Sequence, residues 1–400
     1  MRILSLTAQK VDSTGSGVFL TELVKGFEKQ GHTQAVVCGT VREDTIVLPE
    51  GVQVFPVVYN TAQLPFPICG MSDEMPYEST RYRDLTEEMT VQLLDAFRKK
   101  LRQAVEQFRP DVILCHHLYF LGALARELYP DIPVYGQCHG SDLRQIRKNS
   151  WQRDWIIANI RSLDGVFALH SQQKQTIAET FGIPQEKIFV MGTGYNSDIF
   201  HLDEAVRSRR DPGKIRLIFA GKLSEKKGLF SLLRALRLLP NPGRYELALA
   251  GGYGNTVEYA EICRLAEVAP CPVTFLGKLT HPELAAEMNK SDAFILPSFY
   301  EGLPLVLIEA MACGLRTICT DLPGIKPWLD QAVPGNGTIF VAPPRMYNED
   351  EPYPEALPEF EHRLAEAIQT VPNRPTADLE LVRQVSWNAL CRAYITRWYS

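Results

Sequence analysis

Short apolar runs that do not alternate, each followed by a helical stretch, recur in two successive series along this chain. That rhythm constrains the fold more than any other feature. A run such as Val112-Ile113-Leu114-Cys115 is apolar on consecutive residues, as parallel strands covered on both faces require. In the first half, residues 2–8, 33–38, 52–58, 111–115, 133–138 and 165–169 read as strands. Helices fit 17–30, closed by Gly31, and 84–108, ending before Arg109-Pro110. Residues 203–214 are charged and close on Pro212-Gly213, the composition of a surface linker. The plan then repeats, with strands at 215–220, 245–250, 273–276, 293–296 and 317–320 and helices at 229–239, 256–268, 282–290 and 305–313. The fold class is α/β, with two doubly wound domains facing each other. Ligands of such sheets bind outside the carboxyl ends of the strands, so the cleft between the domains is the expected site.

A chain of 400 residues has room for two domains of ordinary size. The expected boundaries are 1–202 for the first domain, 203–214 for the linker, 215–375 for the second domain and 376–400 for a returning tail. That tail carries Trp387, Tyr394, Trp398 and Tyr399, which suit docking onto the first domain rather than fraying. Residues 348–358, acidic and Pro-rich, are expected to form a mobile loop, with helices at 358–370 and 377–399.

A net charge of −5 gives no global reason to bind nucleic acid. No apolar run approaches the ~18–20 residues of a membrane-spanning helix. The opening run breaks at Gln9 and Lys10, too soon for a signal peptide. Nine cysteines, without Cys-x-x-Cys or zinc-ligand spacing, point to a reducing cytosol and to no metal. His116-His117 resembles a metal pair, but neighbours on a strand point to opposite faces.

The segment Pro297-Ser298-Phe299-Tyr300-Glu301-Gly302-Leu303-Pro304-Leu305 follows a strand and enters a helix. Pro304 stands where a helix starts, and the free amides of that start suit phosphate. Glu301 in the loop and Glu309 in the helix have seven residues between them, so they can bracket a ligand at different depths. Carboxylates accept from sugar or ribose hydroxyls, and a Glu inside the apolar stretch 303–311 is not an ordinary surface acid.

On these residues the chain resembles the retaining glycosyltransferases of the GT-B fold, family 4 (glycosyl transferases group 1). The resemblance covers essentially the whole chain and implies two Rossmann-like domains. Four further motifs fit it in order. Phe219-Ala220-Gly221-Lys222-Leu223-Ser224-Glu225-Lys226-Lys227-Gly228 places Lys222 and Lys227 around a turn suited to a diphosphate, with Lys226 solvated. Similar enzymes have Arg where this chain has Lys222, which keeps the charge and loses the bidentate fork. Gln137-Cys138-His139-Gly140-Ser141-Asp142 resembles the motif whose His contacts the donor sugar near its reactive carbon; Asp142 suits capping a following turn equally well. Thr14-Gly15-Ser16-Gly17 resembles the glycine loop of the first domain, although apolar Val18-Phe19 stand where the family has polar residues. Gly251-Gly252-Tyr253-Gly254 and Leu276-Gly277-Lys278-Leu279 resemble the turns that line the nucleotide pocket and read the base.

The resemblance implies a catalytic set of His139, Glu301, Lys222 and Lys227. Donor contacts fall to Gly15, Gly17, Gly221, Gly251, Gly252, Leu279, Gly302, Leu303, Pro304, Leu305 and Glu309. The implied donor is a UDP- or GDP-linked sugar, with no cofactor and no metal; the acceptor and the oligomeric state stay open. Other readings are a silent sugar-nucleotide-binding subunit and a sugar-nucleotide epimerase. The segment 67–82 is too distinctive for a plain linker. Within 144–155, Arg144, Arg147, Lys148 and Arg153 mix with Trp151 and Trp155. That mixture suits a solvated helix face over buried tryptophans, or else a phosphate-bearing acceptor or peripheral contact with the inner membrane face.

Overall fold

The computed structural model describes residues 1–399 apart from Asp12, Glu74 and Glu349. Glu74 falls in the 67–82 segment and Glu349 in the 348–358 loop, so those two positions lie outside the described residues. The chain divides into two compact units, Met1–Thr193 with Trp387–Ser400, and Gly194–Ser386.

The first unit opens with β1 (Arg2–Leu6), α1 (Gly15–Lys29), β2 (Thr33–Thr40), β3 (Gln53–Val58), β4 (Cys69–Gly70), β5 (Thr80–Arg81) and α2 (Glu87–Phe108). It continues with β6 (Val112–His116), α3 (Phe120–Leu128), β7 (Val134–Gln137), α4 (Ser141–Lys148), α5 (Arg153–Arg161), β8 (Gly165–Ala168), α6 (Ser171–Phe181) and β9 (Ile188–Val190). Seven of these strands form a parallel sheet in the order β3-β2-β1-β6-β7-β8-β9. The winding reverses between β1 and β6, whose registers pair Ile3 with Val112 and Leu6 with Cys115. β6 is buried at every position, which is why its sequence shows no alternation. Local chemistry sets the helix ends. The Thr14 side chain caps α1 by accepting from the Gly17 amide at 3.1 Å, and Thr86 caps α2 by accepting from Met89 at 3.2 Å. α2 stops at Arg109, which adopts φ +49° ahead of Pro110.

The second unit runs through α7 (Glu204–Arg207), β10 (Ile215–Ala220), α8 (Leu229–Ala235), β11 (Tyr245–Ala250), α9 (Thr256–Glu267), β12 (Val273–Gly277), α10 (His281–Asn289) and β13 (Ala293–Leu296). It ends with α11 (Leu305–Ala312), β14 (Arg316–Thr320), α12 (Ile325–Ala332), β15 (Ile339–Val341), α13 (Leu357–Thr370) and α14 (Leu379–Arg383). Its six-stranded parallel sheet has the order β12-β11-β10-β13-β14-β15, reversing between β10 and β13.

The last helix, α15 (Trp387–Tyr399), belongs to the first unit and packs on α1. Cys391 Sγ lies 3.6 Å from the Leu23 carbonyl, and Trp398 meets the Phe27 ring at 5.3 Å. The Tyr394 hydroxyl donates to Gln137 Oε1. Gly26 allows this approach, since a Cβ there would lie 2.4 Å from Cys391 Sγ.

Several expectations need correction. The compact units divide after Thr193, nine residues ahead of the expected boundary. Residues 203–214 are not a free linker but part of the second unit. Arg207 Nη1 donates to the Gly314 carbonyl at 2.6 Å, and Arg210 Nη1 to Asp292 at 2.8 Å; those bonds anchor a segment whose charge alone suggests solvent. The tail splits as well, because α14 stays with the second unit and only Trp387 onward joins the first. Lys226 is exposed, as expected, and its ammonium reaches Asp350 at 2.8 Å. Within 348–358, Pro352 bridges Met346 and residues 354–356 form a 3-10 turn. Among the described residues, no helix is long and apolar enough to cross a membrane.

Candidate active site

In the second unit the loops after four strands are stitched together by their own backbones. Gly221 donates to Ala250 at 3.0 Å, Gly251 to Gly277 at 2.7 Å and Leu223 to Gly252 at 2.8 Å. The Phe299 amide donates to the Lys226 carbonyl at 3.0 Å, joining the β10 loop to the β13 loop. Glycines make this possible. A Cβ on Gly251, at φ +147°, would lie 1.8 Å from the Gly221 oxygen, and one on Gly228, at φ +71°, would lie 2.0 Å from the Pro297 oxygen. The result is a rim of main chain at the point where the winding reverses, which is where doubly wound sheets hold ligands.

Charged groups stand on that rim. Lys227 Nζ contacts Glu301 Oε1 at 2.6 Å, and the buried Ser298 hydroxyl donates to the same oxygen at 2.7 Å. Glu301 is 13% exposed and Lys227 29%, so the pair is largely shielded yet reachable. Lys222 is exposed, and its Nζ would come within 3.1 Å of a Cβ on Gly254. The two ammonium groups therefore rest on different loops, Lys227 at the entry to α11 and Lys222 over the glycine turn after β11. Gly302, Leu303 and Pro304 form that entry, and α11 starts at Leu305 without a side-chain cap or an acid in its first turn. Such a start leaves amide donors and a partial positive charge toward an incoming anion. Glu309, on the second turn of α11, is 9% exposed. Its charge adds to burial in pushing the Cys313 thiol up to about 12.

Beside the rim lies a cavity of about 270 Å³ lined by Leu223, Gly251, Gly252, Tyr253, Gly277 and Lys278 among others. Tyr253 stacks on Tyr259 at 3.9 Å, and Tyr259 meets Phe275 edge-on at 6.0 Å. Sequence reasoning quoted Tyr253 and Ser298 within their motifs without giving either a role, and passed over Tyr259 and Phe275. Leu279, expected at this pocket, is half-buried with its side chain against the hydrophobic core, while its neighbours Gly277 and Lys278 line the cavity.

In the first unit the corresponding reversal holds His139. Its Nε2 lies 3.2 Å from His116 Nδ1, and its ring centroid lies 4.8 Å from that of His117. The expectation that His116 and His117 diverge is wrong. His116 ends β6, and His117 adopts φ +76°, which breaks the alternation and turns both rings toward His139. Burial lowers all three imidazoles, with the neighbouring ring charges adding to it for His116 and His139. His116 is pushed down to about 3 and His139 falls well below the usual histidine range, while the Asp142 charge partly opposes burial at His117. The cluster is therefore neutral at pH 7. Phe19 walls it edge-on, 5.1 Å from His139 and 4.9 Å from Trp387. Gly15 opens α1 with free space around it, and Gly17 is buried one turn from Thr14.

Asp142 does more than cap a turn. It is fully buried, and its carboxylate accepts from the Leu118 amide at 2.9 Å and the His139 amide at 3.3 Å. It thus ties the β7 loop carrying His139 to the β6 loop. Among the described residues, no three His, Cys, Asp or Glu side chains are placed to hold a metal ion.

Comparison with known proteins fits this geometry. The sequence model described as Glycosyltransferase Family 4 matches residues 13–199, and that of Glycosyl transferases group 1 matches residues 203–369. The chain is 27% identical over 232 residues to a glycogen synthase of Mycobacterium tuberculosis, covering 54% of each protein. It is 30% identical over 178 residues to a D-inositol 3-phosphate glycosyltransferase of Pseudarthrobacter chlorophenolicus, covering 42% of each. The chain spans about half the length of the curated relatives it matches. Among solved structures it resembles a sucrose-phosphate synthase of Thermosynechococcus elongatus, with TM-score 0.68 at 16% identity over 100% of this chain and 98% of the other. It also resembles HepE of Anabaena, solved with UDP and glucose, with TM-score 0.66 at 16% identity over 100% and 99%. With two such units, two family matches that between them span most of its length, and these structural neighbours, the chain has the GT-B fold and belongs to the family 4, or group 1, glycosyltransferases.

Proposed function

We propose that this chain is a retaining, metal-independent hexosyltransferase that moves a sugar from a nucleoside-diphosphate sugar to a hydroxyl acceptor. The observation that carries the reading is the Lys227–Glu301–Ser298 group at the uncapped start of α11, beside the glycine- and aromatic-lined cavity. The base occupies that cavity, Glu309 accepts from ribose hydroxyls, and the diphosphate lies along the amides at the start of α11. Lys227 has three N–H donors, so it can hold Glu301 and still donate to a phosphate oxygen. UDP bound in HepE supports a uridine nucleotide; a guanosine nucleotide is the second candidate.

Cleaving the anomeric C–O bond puts positive charge on the anomeric carbon and negative charge on the diphosphate. Lys222, Lys227 and the helix start offset the latter, each contact contributing ~2–4 kcal/mol where water is excluded. The acceptor oxygen bonds to the anomeric carbon from the face the phosphate leaves, and its proton passes to the leaving phosphate oxygen. Retention follows from same-face attack. Glu301 holds sugar hydroxyls and does not itself attack. His139, neutral at pH 7, is assigned a hydrogen bond to the donor sugar. Among the described residues the cysteines form no disulfide, as a reducing compartment would require.

The test is a panel of nucleotide sugars with crude acceptor extract, in EDTA, on the wild type and Lys227→Ala. The variant is expected to lose turnover by about 10²–10³-fold together with diphosphate affinity. Unchanged turnover removes the role of that lysine. Nucleotide binding without product favours a silent subunit, and product from donor alone favours an epimerase.

A further inference from the structure

The first unit carries a second cluster of charge that the donor chemistry does not use. Residues 69–83 do not form a plain connection. β4 and β5 pair in parallel, Thr80 donates from its amide to Ile68 at 3.0 Å, and the segment docks on α4. Arg144 Nη2 donates to Ser72 Oγ at 3.2 Å, and Gln145 Nε2 to the Met71 carbonyl at 3.2 Å. That docking gathers Arg81, Arg83, Arg144 and Lys148 around one small cavity where, among the described residues, Asp73 is the one lining carboxylate. Asp73 lies 3.6 Å from Arg83. Among the described residues, no carboxylate pairs with Arg81 or Lys148. Arg144 and Lys148 stand one turn apart on α4, an arrangement of like charges that works against a helix.

We propose that this cluster binds the phosphoryl group of an anionic acceptor; the proposal rests on the glycosyltransferase reading above. Three guanidinium forks and one ammonium match the oxygens of a phosphate monoester, with Lys148 acting as a point charge beside the planar forks. The enclosed space is about 20 Å³, so it takes one oxygen of the anion while the rest of the acceptor stays outside. Position matters equally. α4 begins two residues after His139, and Arg144 donates its amide to Gly140 at 3.3 Å. At ~1.5 Å per residue, Arg144 and Lys148 lie about 4.5 and 10.5 Å along α4 from its first residue, Ser141. The same chemistry is offered by a soluble sugar or polyol phosphate and by a phospholipid headgroup.

The experiment uses the full chain with UDP saturating the donor loops, so that phosphate cannot bind there. Glycerol 3-phosphate is titrated by calorimetry into the wild type and into Arg81→Glu/Lys148→Glu, both exposed positions. Saturable binding that weakens about tenfold or more in the variant, with UDP affinity retained, is the expected result. Sedimentation with phosphatidylcholine vesicles, with and without about 30 mol% phosphatidic acid, separates the sources. Co-sedimentation lost in the variant assigns a lipid headgroup, and binding of glycerol 3-phosphate alone assigns a soluble acceptor. No binding to either probe, or equal binding by the variant, overturns the inference. Failure of UDP itself to bind overturns the donor reading instead, and the phosphate titration still reports on the cluster.

Discussion

The carboxyl ends of β1 and β6 in the first unit and of β10 and β13 in the second occupy the same place in two copies of one winding scheme. Their contents are opposite. The first holds three neutral imidazoles packed among Phe19 and Trp387. The second holds exposed or half-buried charges on a rim of glycine backbone, with Lys227 against Glu301 and Lys222 over Gly254. Topology leaves room at the reversal because the flanking loops run off in opposite directions. What that room can bind is set by side chains. Desolvated rings can hold and orient a neutral sugar, whereas amides and ammonium groups are needed for a diphosphate.

The contrast can be broken most sharply at Gly251. Replacing it by Ala forces a Cβ to within 1.8 Å of the Gly221 oxygen. The second unit is expected to lose about 3 kcal/mol or more, read by urea denaturation, with nucleotide binding lost as the rim shifts. A neutral outcome would mean that the rim is soft. The matching change in the first unit is Asp142→Ala, which strands the buried Leu118 amide and the half-buried His139 amide. It is expected to cost about 2–3 kcal/mol and to misplace His139 without altering UDP affinity.

A pH series tests the neutrality of the imidazoles. Their folded pKa values lie below the ordinary 6.5, with His116 near 3. The unfolded chain therefore takes up protons that the folded chain refuses. Stability is full above about pH 6.5 and falls as the pH drops toward the folded values, at about 1.4 kcal/mol per pH unit for each proton withheld. Denaturation curves that do not move between about pH 7.5 and 5 would show the rings protonating freely in the fold. The smallest effect is expected from Lys222→Arg, which restores a bidentate fork and should tighten UDP about two- to fivefold by calorimetry.

The two parallel sheets were legible because strands buried on both faces write themselves as unbroken apolar runs, and the Glu301, Lys227 and His139 loops were legible because each follows such a run. The 203–214 segment was not, since its arginines look solvated until Gly314 and Asp292 supply partners more than eighty residues away. The His116-His117 turn was equally hidden. Its direction depends on one left-handed backbone angle, φ +76° at His117, a conformation that few non-glycine residues adopt and that no local signal marks. Tyr259 and Phe275 join the cavity from elements that share no motif with the glycine turn they line.

Local periodicity, turn chemistry and the placement of glycines act over a few residues, so the sequence by itself determined the α/β class, the repeated winding and the loops that carry charge. Which side chains meet across loops was decided only by the tertiary structure. That applies to Ser298 and Lys227 on Glu301, Asp142 on the β6 loop, the three imidazoles on one another, and four cations gathered by residues 69–83 on α4. Contacts between residues distant in sequence depend on the packing of whole elements, and no short stretch of chain encodes them.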